Sequence, residues 1–419
     1  MAEFEEPLSD NAIEPRSGGA FSRLGPGIVS GISDDDPSAI GTYAQLGASL
    51  GYRLVWSPVA ILPFIACAQI ATSRIATTRG RGLVAAARNV CPRWLLVLVF
   101  GPVVLANVLT LGADLAVMAS ALDLLLGVSK WLGLVFITLV SVTLIVGLPY
   151  HRYRRVLVIL SLAIFGFVAV VFVAHVEWSR VMDSLTPWRI EFGRAELAGL
   201  IAAVGATASP FVIVWHANSE VAETSPGGTP RPRRAKTVDV VAGLVVAVIA
   251  AMCVLIATAT TLPPAGITSI GTVDQAARAL EPLLGSGAAL VFSLGIIGVG
   301  LLAVPVLAIG AANVVSEFVG WPTGLGKHWG DARAFYLLVA GAVGTALSLQ
   351  VAGTSPIRAL YFASIANGLA VPLLFLTIAY VARSRRVMGP ERVGAVLAFI
   401  VAGGGLVAAA LPILYLATA

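Results

Sequence analysis

The chain has 419 residues, of which 58% are apolar and only 12% charged, with a net charge of +5. Soluble domains run about half apolar and a quarter charged, so a water-soluble globule is excluded and the matching solvent is a lipid bilayer. The basic residues are scattered between apolar runs, which argues against a nucleic-acid surface, and the 3 cysteines have neither paired spacing nor a histidine at ligand distance, so no disulfide or structural zinc is expected.

Residues 1–24 are polar and acidic at their start, with neither a basic n-region nor an apolar h-region, and are expected to form a cytoplasmic tail rather than a cleaved signal. Eleven apolar spans follow, near 27–50, 54–76, 94–122, 131–148, 155–175, 195–224, 238–262, 286–318, 333–351, 357–382 and 393–416. With the N-terminus inside, twenty of the 27 basic residues fall in cytoplasmic segments, among them Arg74, Arg79, Arg81, Arg154, Arg233, Lys236, Arg385 and Arg386. That asymmetry is the positive-inside pattern, and it puts the C-terminus outside. The expected localisation is integral to a membrane of the bacterial plasma-membrane type.

Spans 1–5 and 6–10 then run in opposite senses, which permits an inverted repeat divided as residues 25–180 and 181–385, with 386–419 forming span 11. The first helix of each half is interrupted at a matching place. Span 1 carries Ser33-Asp34-Asp35-Asp36-Pro37 and span 6 carries Gly205-Ala206-Thr207-Ala208-Ser209-Pro210. Proline removes a backbone donor and restricts the residue before it, so each site unwinds or kinks, and paired broken helices point to the binding site of a transporter.

Three aspartates inside a membrane helix each carry a penalty of about 2.5–3.5 kcal/mol and need solvent, protons or a cation to offset it. The bland reading is a solvated cap at the membrane boundary. The sharper one is a cation site: unwinding turns Asp34, Asp35 and Asp36 towards one place, and the exposed carbonyls of Ser33 and Ala206 lie at negative half-helix ends. Carboxylate, carbonyl and hydroxyl oxygens suit hard divalent ions such as Mg²⁺ and Mn²⁺. In span 3, Asn107 and Asp114 share a helix face; in span 6, Ser209, His216, Glu220 and Glu223 form a polar stripe leading from the break, either a proton or ion path or, at its far end, a solvated helix terminus. Ser364 and Asn367 are polar positions in span 10, readable as weak ion ligands or as interhelical packing contacts.

These residues resemble the NRAMP family of divalent-metal transporters. Residues 25–56, GPGIVSGISDDDPSAIGTYAQLGASLGYRLVW, are similar to the family's first helix, with its Asp-Pro-Gly-Asn break followed by Thr, Gln and Gly-Tyr-x-Leu-x-Trp; residues 205–223 are similar to its sixth, usually marked Met-Pro-His. The resemblance implies an all-α integral membrane protein of about eleven transmembrane helices, a LeuT-like 5+5 inverted repeat with broken helices 1 and 6, and divalent-metal uptake. It also implies that Asp36 is the metal-binding aspartate, that Ser364 stands where the family often has a glutamine near the metal, that Asp114 matches an aspartate assigned to proton transfer, and that His216 aligns with a conserved helix-6 histidine. The chain departs from the pattern at Ala39, where the asparagine stands; at Ser209, where the methionine stands; and at Asn107 and Val117, where carboxylates stand. Sulfur favours softer metals, so these departures, with Asp34 and Asp35, resemble the magnesium-transporting relatives and weaken the case for proton coupling. The expected activity is transport of Mg²⁺, and of Mn²⁺ beside it, into the cytoplasm by alternating access; the alternative is a proton- or sodium-coupled carrier of an organic solute, with Phe211 and Trp215 as apolar walls. No P-loop, HExxH or nucleophile elbow is present, so neither an enzyme nor a cofactor is expected. The expected partners are the lipid bilayer and the transported divalent ion, with no nucleic acid and no obligatory protein.

Overall fold

A computed structural model of the chain describes residues 36–147, 166–186, 192–224, 232–322, 332–350 and 355–418. Among the described residues there is no strand. The principal helices are α1 (Pro37–Leu50), α2 (Ser57–Arg79), α3 (Leu83–Ala87), α4 (Arg93–Leu126), α5 (Lys130–Gly147), α6 (Gly166–Val173), α7 (Arg194–Thr207), α8 (Pro210–Thr224), α9 (Arg233–Thr261), α10 (Ala288–Val319), α11 (Arg333–Leu349), α12 (Pro356–Arg383) and α13 (Ala395–Ala417). Seven described helical stretches are long and apolar enough to cross a membrane, and two shorter apolar helices accompany them. Every span expected from sequence overlaps a described helix. Span 1 is described only from Pro37 and span 5 only over Gly166–Val173.

The boundaries shift where local chemistry overrides the hydropathy pattern. Span 2 starts at Ser57 rather than near 54 because Gly51, at φ 60°, turns the chain into a short 3-10 segment, Gly51–Leu54. A residue with a side chain is strained in that conformation. Five prolines, Pro63, Pro102, Pro305, Pro372 and Pro412, lie inside helices that continue through them. Pro37 and Pro210, by contrast, each begin a helix, the position where a missing N–H matters least.

The long α4 and α12 lie side by side at the centre, with α10 against α4, α7 against α12, and α9 against α1. Two apolar clusters fill opposite ends of the bundle, one built around Tyr43, Phe167, Phe292 and Phe335, the other around Ile65, Phe100, Leu244 and Phe375. α7 and α12 touch backbone to backbone. A Cβ on Gly205 would fall on the Ser364 carbonyl oxygen, and one on Gly368 would fall on the Ile201 carbonyl oxygen. Small residues permit this approach, and it substitutes close packing for a hydrophobic driving force that lipid cannot supply.

Two connections are tied down by hydrogen bonds. Between α9 and α10, the Ile270 N–H donates to Gln45 Oε1 of α1 (2.8 Å), Ser355 Oγ donates to the Gly271 carbonyl (2.6 Å), and Thr272 with Gln275 forms a capping box on the short helix Val273–Ala277. Between α2 and α4, the buried Glu317 at the end of α10 accepts the Ala85 N–H of α3 through Oε2 (3.0 Å) and a bond from Asn218 of α8, while Arg88 Nη1 donates to the Glu317 carbonyl (2.7 Å).

Candidate ion site at two helix breaks

The sequence Asp-Pro opens α1 in the way its chemistry dictates. Asp36 is the N-cap, Pro37 the first helical residue, and Asp36 Oδ1 accepts both the Ala39 N–H (2.8 Å) and Ser38 Oγ–H (2.6 Å). A cap of this type normally faces water, but Asp36 is 0% exposed. Its second oxygen, Oδ2, is buried with no hydrogen-bond partner. One carboxylate oxygen therefore holds the helix and the other is left for something else. Ser33, Asp34 and Asp35 lie outside the described residues.

The second break is two residues long. α7 ends at Thr207, Ala208 departs from helical geometry at φ −108° and ψ 46°, and α8 restarts at Pro210, with Val212 N–H bonded to the Ser209 carbonyl (3.1 Å). Proline's restriction on its predecessor accounts for the position. Ser209 Oγ donates to the Gly205 and Ala206 carbonyls, both at 3.2 Å. The Ala206 carbonyl expected as a ligand is thus shared with the serine hydroxyl, whose lone pairs remain available as acceptors.

Helix α12 supplies the polar positions expected from sequence at two different heights. Ser364 accepts a hydrogen bond from Thr42 Oγ1 (2.8 Å). Thr42 is six residues beyond Asp36, about 9 Å along α1, so Ser364 is set back from the cap. α12 runs antiparallel to α1, since Leu360 meets Gly41 and Ser355 lies at the end of α1 marked by Gln45 and Ile270. Asn367 is therefore one turn nearer the break. Its Nδ2 donates to Thr110 Oγ1 of α4 (3.0 Å), and its Oδ1 is buried without a partner.

On α4, both side-chain atoms of Asn107 and both carboxylate oxygens of Asp114 are buried and unpartnered. Asn107 faces Gly310 of α10 at the level of Phe211: a Cβ on Gly310 would stand 3.5 Å from Asn107 Nδ2 and 3.8 Å from the Phe211 carbonyl. Along α8, His216 Nε2 lies 3.8 Å from Glu220 Oε1, both fully buried, and Glu220 Oε2 is ion-paired to Lys236 of α9. The polar stripe expected down α8 is present as far as Glu220; the side chain of Glu223 lies outside the described residues.

Sequence reasoning missed four participants. Thr42 and Thr110 link α12 to α1 and α4, and Tyr43 bonds both Thr207 and the Ala203 carbonyl, holding α1 to α7. Lys236, counted among the basic loop residues, is buried and paired. For the threonines the available signal was position: both fall in helices already marked by an acidic residue.

Among the described residues no three His, Cys, Asp or Glu side chains converge as a ligand group. A cation here would draw on one or two carboxylates and on neutral oxygens, a donor set suited to hard ions. Buried carboxylates without partners need protons or cations, which is the chemical demand the two breaks create.

An apolar helical bundle in which α7 and α8 are parted by a two-residue break with a carbonyl-rich helix end, and α1 begins at a buried carboxylate, defines a membrane transport protein. The family profile described as natural resistance-associated macrophage protein-like matches residues 27–418, and the chain belongs to this Nramp family, whose members are transporters and not enzymes. It is 26% identical over 406 residues to the divalent metal cation transporter MntH of Acidiphilium cryptum, covering 94% of this chain and 89% of that protein. The MntH of Klebsiella pneumoniae strain 342 is 30% identical over 304 residues, covering 71% and 72%. In fold, the chain is similar to the crystal structure of the Eremococcus coleocola manganese transporter bound to an aromatic bis-isothiourea compound, with a TM-score of 0.69 at 17% identity over 96% of this chain and 90% of that one. It is also similar to Mhp1, a nucleobase-cation-symport-1 family transporter, with a TM-score of 0.59 at 16% identity, covering 94% and 92%.

Proposed function

We propose that the chain carries hard divalent cations, Mg²⁺ and also Mn²⁺, into the cytoplasm by alternating access between the two breaks, with little or no proton coupling. Its transport of divalent metal is supported by the MntH relatives, and its preference for hard ions by the oxygen chemistry of the site. The observation that carries the reading is the buried, unpartnered Oδ2 of Asp36 in a chain where Ser209, with an oxygen, stands at the facing break. Asp36 supplies the charged ligand; Ala206 and Ser209 supply neutral oxygens, and Asn367 Oδ1 stands one turn nearer the cap than Ser364. Asp34, Asp35 and Ser33 complete the acidic side of the break in this reading.

The five-plus-five inverted repeat, with residues 25–180 and 181–385 as its halves and a cytoplasmic N-terminus, gives the path its direction. At the C-terminal end of α1 a cavity of about 1870 Å³, lined by Gly51, Arg53, Glu177, Glu196, Thr260 and Glu281, serves as the extracytoplasmic vestibule. The ion then passes the cap and leaves along α8 past His216. Asp114 retains one of the family's span-3 carboxylates while Asn107 and Val117 cannot carry protons, which favours uptake driven by voltage and gradient. The organic-solute reading is disfavoured because Phe211 is fully buried in the apolar core and Trp215 packs against it.

Uptake of Mg²⁺, Mn²⁺ and Ca²⁺ into proteoliposomes tests the assignment, with wild type compared to Asp36→Ala. The variant is expected to lose transport of every ion the wild type carries; undiminished uptake of all of them would remove Asp36 from the site. A pH-sensitive dye inside the vesicles is expected to report little acidification during uptake. Strong acidification abolished by Asp114→Asn would establish coupling instead.

A further inference from the structure

We infer that Lys236 is a built-in counter-ion of the inner path, holding the Glu220 carboxylate so that the departing dication does not bind there. This rests on the exit route along α8 proposed above. Lys236 is the fourth residue of α9, in the basic run Arg231-Pro232-Arg233-Arg234-Ala235-Lys236 that sequence alone assigns to a solvent-facing loop. A lysine serving only as a topology anchor extends its ammonium towards water. Lys236 is instead 7% exposed, and its Nζ donates to Glu220 Oε2, where Glu220 is itself fully buried on α8.

The position along the path gives the pair its significance. Glu220 lies eleven residues beyond Ser209, about 16 Å down α8, with His216 between them. A buried carboxylate there is the strongest kind of ligand for a hard divalent ion. An ion released from the Asp36 break would meet a second binding site before reaching the cytoplasm. The ammonium is a singly charged group with donors and no acceptor, so it takes up a lone pair of Glu220 Oε2 and offers the metal nothing. For a dication to take Glu220, it would have to displace this ammonium from Oε2 and bring two further positive charges beside it. α2 and α9 meet in a small crevice lined by Ser73, Arg74, Thr77, Arg233 and Lys236, and Asp239 is buried one turn further along α9. Arg233 is engaged with Glu391, and Lys236 with Glu220. Lys236 is thus a positioning residue, acting through Glu220 and not touching the ion.

The test uses the purified full chain with Mn²⁺ as probe, measuring binding stoichiometry at equilibrium and uptake after reconstitution. Lys236→Met is expected to add a second bound Mn²⁺ per chain. It is also expected to lower maximal uptake on the order of tenfold with little change in KM, because added affinity acts chiefly through slower release. Lys236→Arg should behave as wild type, and the double variant Lys236→Met with Glu220→Gln should lose the extra Mn²⁺ and recover most of the uptake rate. Should Lys236→Met fail to fold, Glu220→Gln alone decides: it removes the carboxylate charge that offsets Lys236 beside the path and should depress uptake, with recovery in the double variant. The inference is overturned if Lys236→Met and the double variant share one stoichiometry and one uptake rate, or if Glu220→Gln leaves uptake unchanged. An Asp36→Ala control separates the two readings. Loss of uptake in that variant with no effect of Lys236→Met sinks the counter-ion alone; an extra Mn²⁺ in Lys236→Met alongside active Asp36→Ala sinks the site assignment alone.

Discussion

Replacing Asp36 by asparagine or by alanine should separate its two oxygens. Oδ1 caps α1 through Ala39 N–H and Ser38 Oγ–H, whereas Oδ2 is buried without a partner. Asparagine is as good an N-cap as aspartate, while alanine forfeits about 1 kcal/mol of capping. The charge is lost in both. At 4 Å and an effective dielectric near 20, a unit charge pair is worth about 4 kcal/mol, and a dication doubles that before its dehydration is counted. A net loss of about 3 kcal/mol, or on the order of a hundredfold in affinity, is therefore expected for both variants. Stability should divide them. Without metal, Asp36→Asn should melt at or above the wild-type temperature because it removes an uncompensated buried charge; Asp36→Ala should melt below Asp36→Asn. Saturating Mn²⁺, at about a hundred times the wild-type dissociation constant, should stabilise the wild type by about 2.7 kcal/mol and each variant by only about 0.4 kcal/mol. Thermal melts of detergent-purified protein with and without Mn²⁺ measure this. A metal-dependent rise preserved in Asp36→Asn, or equal melting of the two variants without metal, would refute the division of labour between the oxygens.

Three further outcomes are expected. Ser209→Met should shift uptake competition towards Mn²⁺ or Cd²⁺ over Mg²⁺, and an unaltered order would show that position 209 does not face the ion. Gly205→Ala places a methyl on the Ser364 carbonyl and should lower stability by about 1–3 kcal/mol, readable as a fall in melting temperature; an unchanged melt would mean that α7 and α12 separate freely. Glu317→Ala strands the Ala85 N–H and should destabilise the α2–α4 connection by about 2 kcal/mol, seen as faster hydrogen exchange over residues 83–88, whereas exchange at the wild-type rate would show that other contacts hold α3.

The helix starts at Pro37 and Pro210 were legible because their causes are local. Asp-Pro writes an N-cap followed by a first helical residue, and Ser-Pro writes a restart, whatever surrounds them. The five prolines inside continuous helices show the limit of that reading: Pro102 and Pro305 look the same in sequence, and only neighbouring helices decide whether the freed carbonyl can be tolerated. Partners across helices were not legible. Thr72, Thr138 and Thr258 bond carbonyls of their own helices, while Thr42 and Thr110 bond α12; an acidic residue in the same helix marks Thr42 and Thr110 but also Thr258, so that signal alone does not separate the two groups. Lys236 was misread for a different reason. Counting charge in loops treats every lysine alike, so it says nothing about one whose helix begins early enough to carry it inward.

The interlocked glycines make α7 and α12 a single lever. With carbonyls of one helix occupying the Cβ space of the other at Gly205 and Gly368, neither helix has room to slide past its neighbour, so a tilt of either is transmitted whole. The lever ends at Ala208-Ser209, a pivot two residues long, and carries Ser364 and Asn367 on its far arm. Through Thr42 and Thr110 that arm also grips α1 and α4. On the proposed site assignment, an ion shared by Asp36 and Ser209 would sit at the fulcrum, where a small change in the geometry of a few oxygens becomes a large displacement at the ends of the helices.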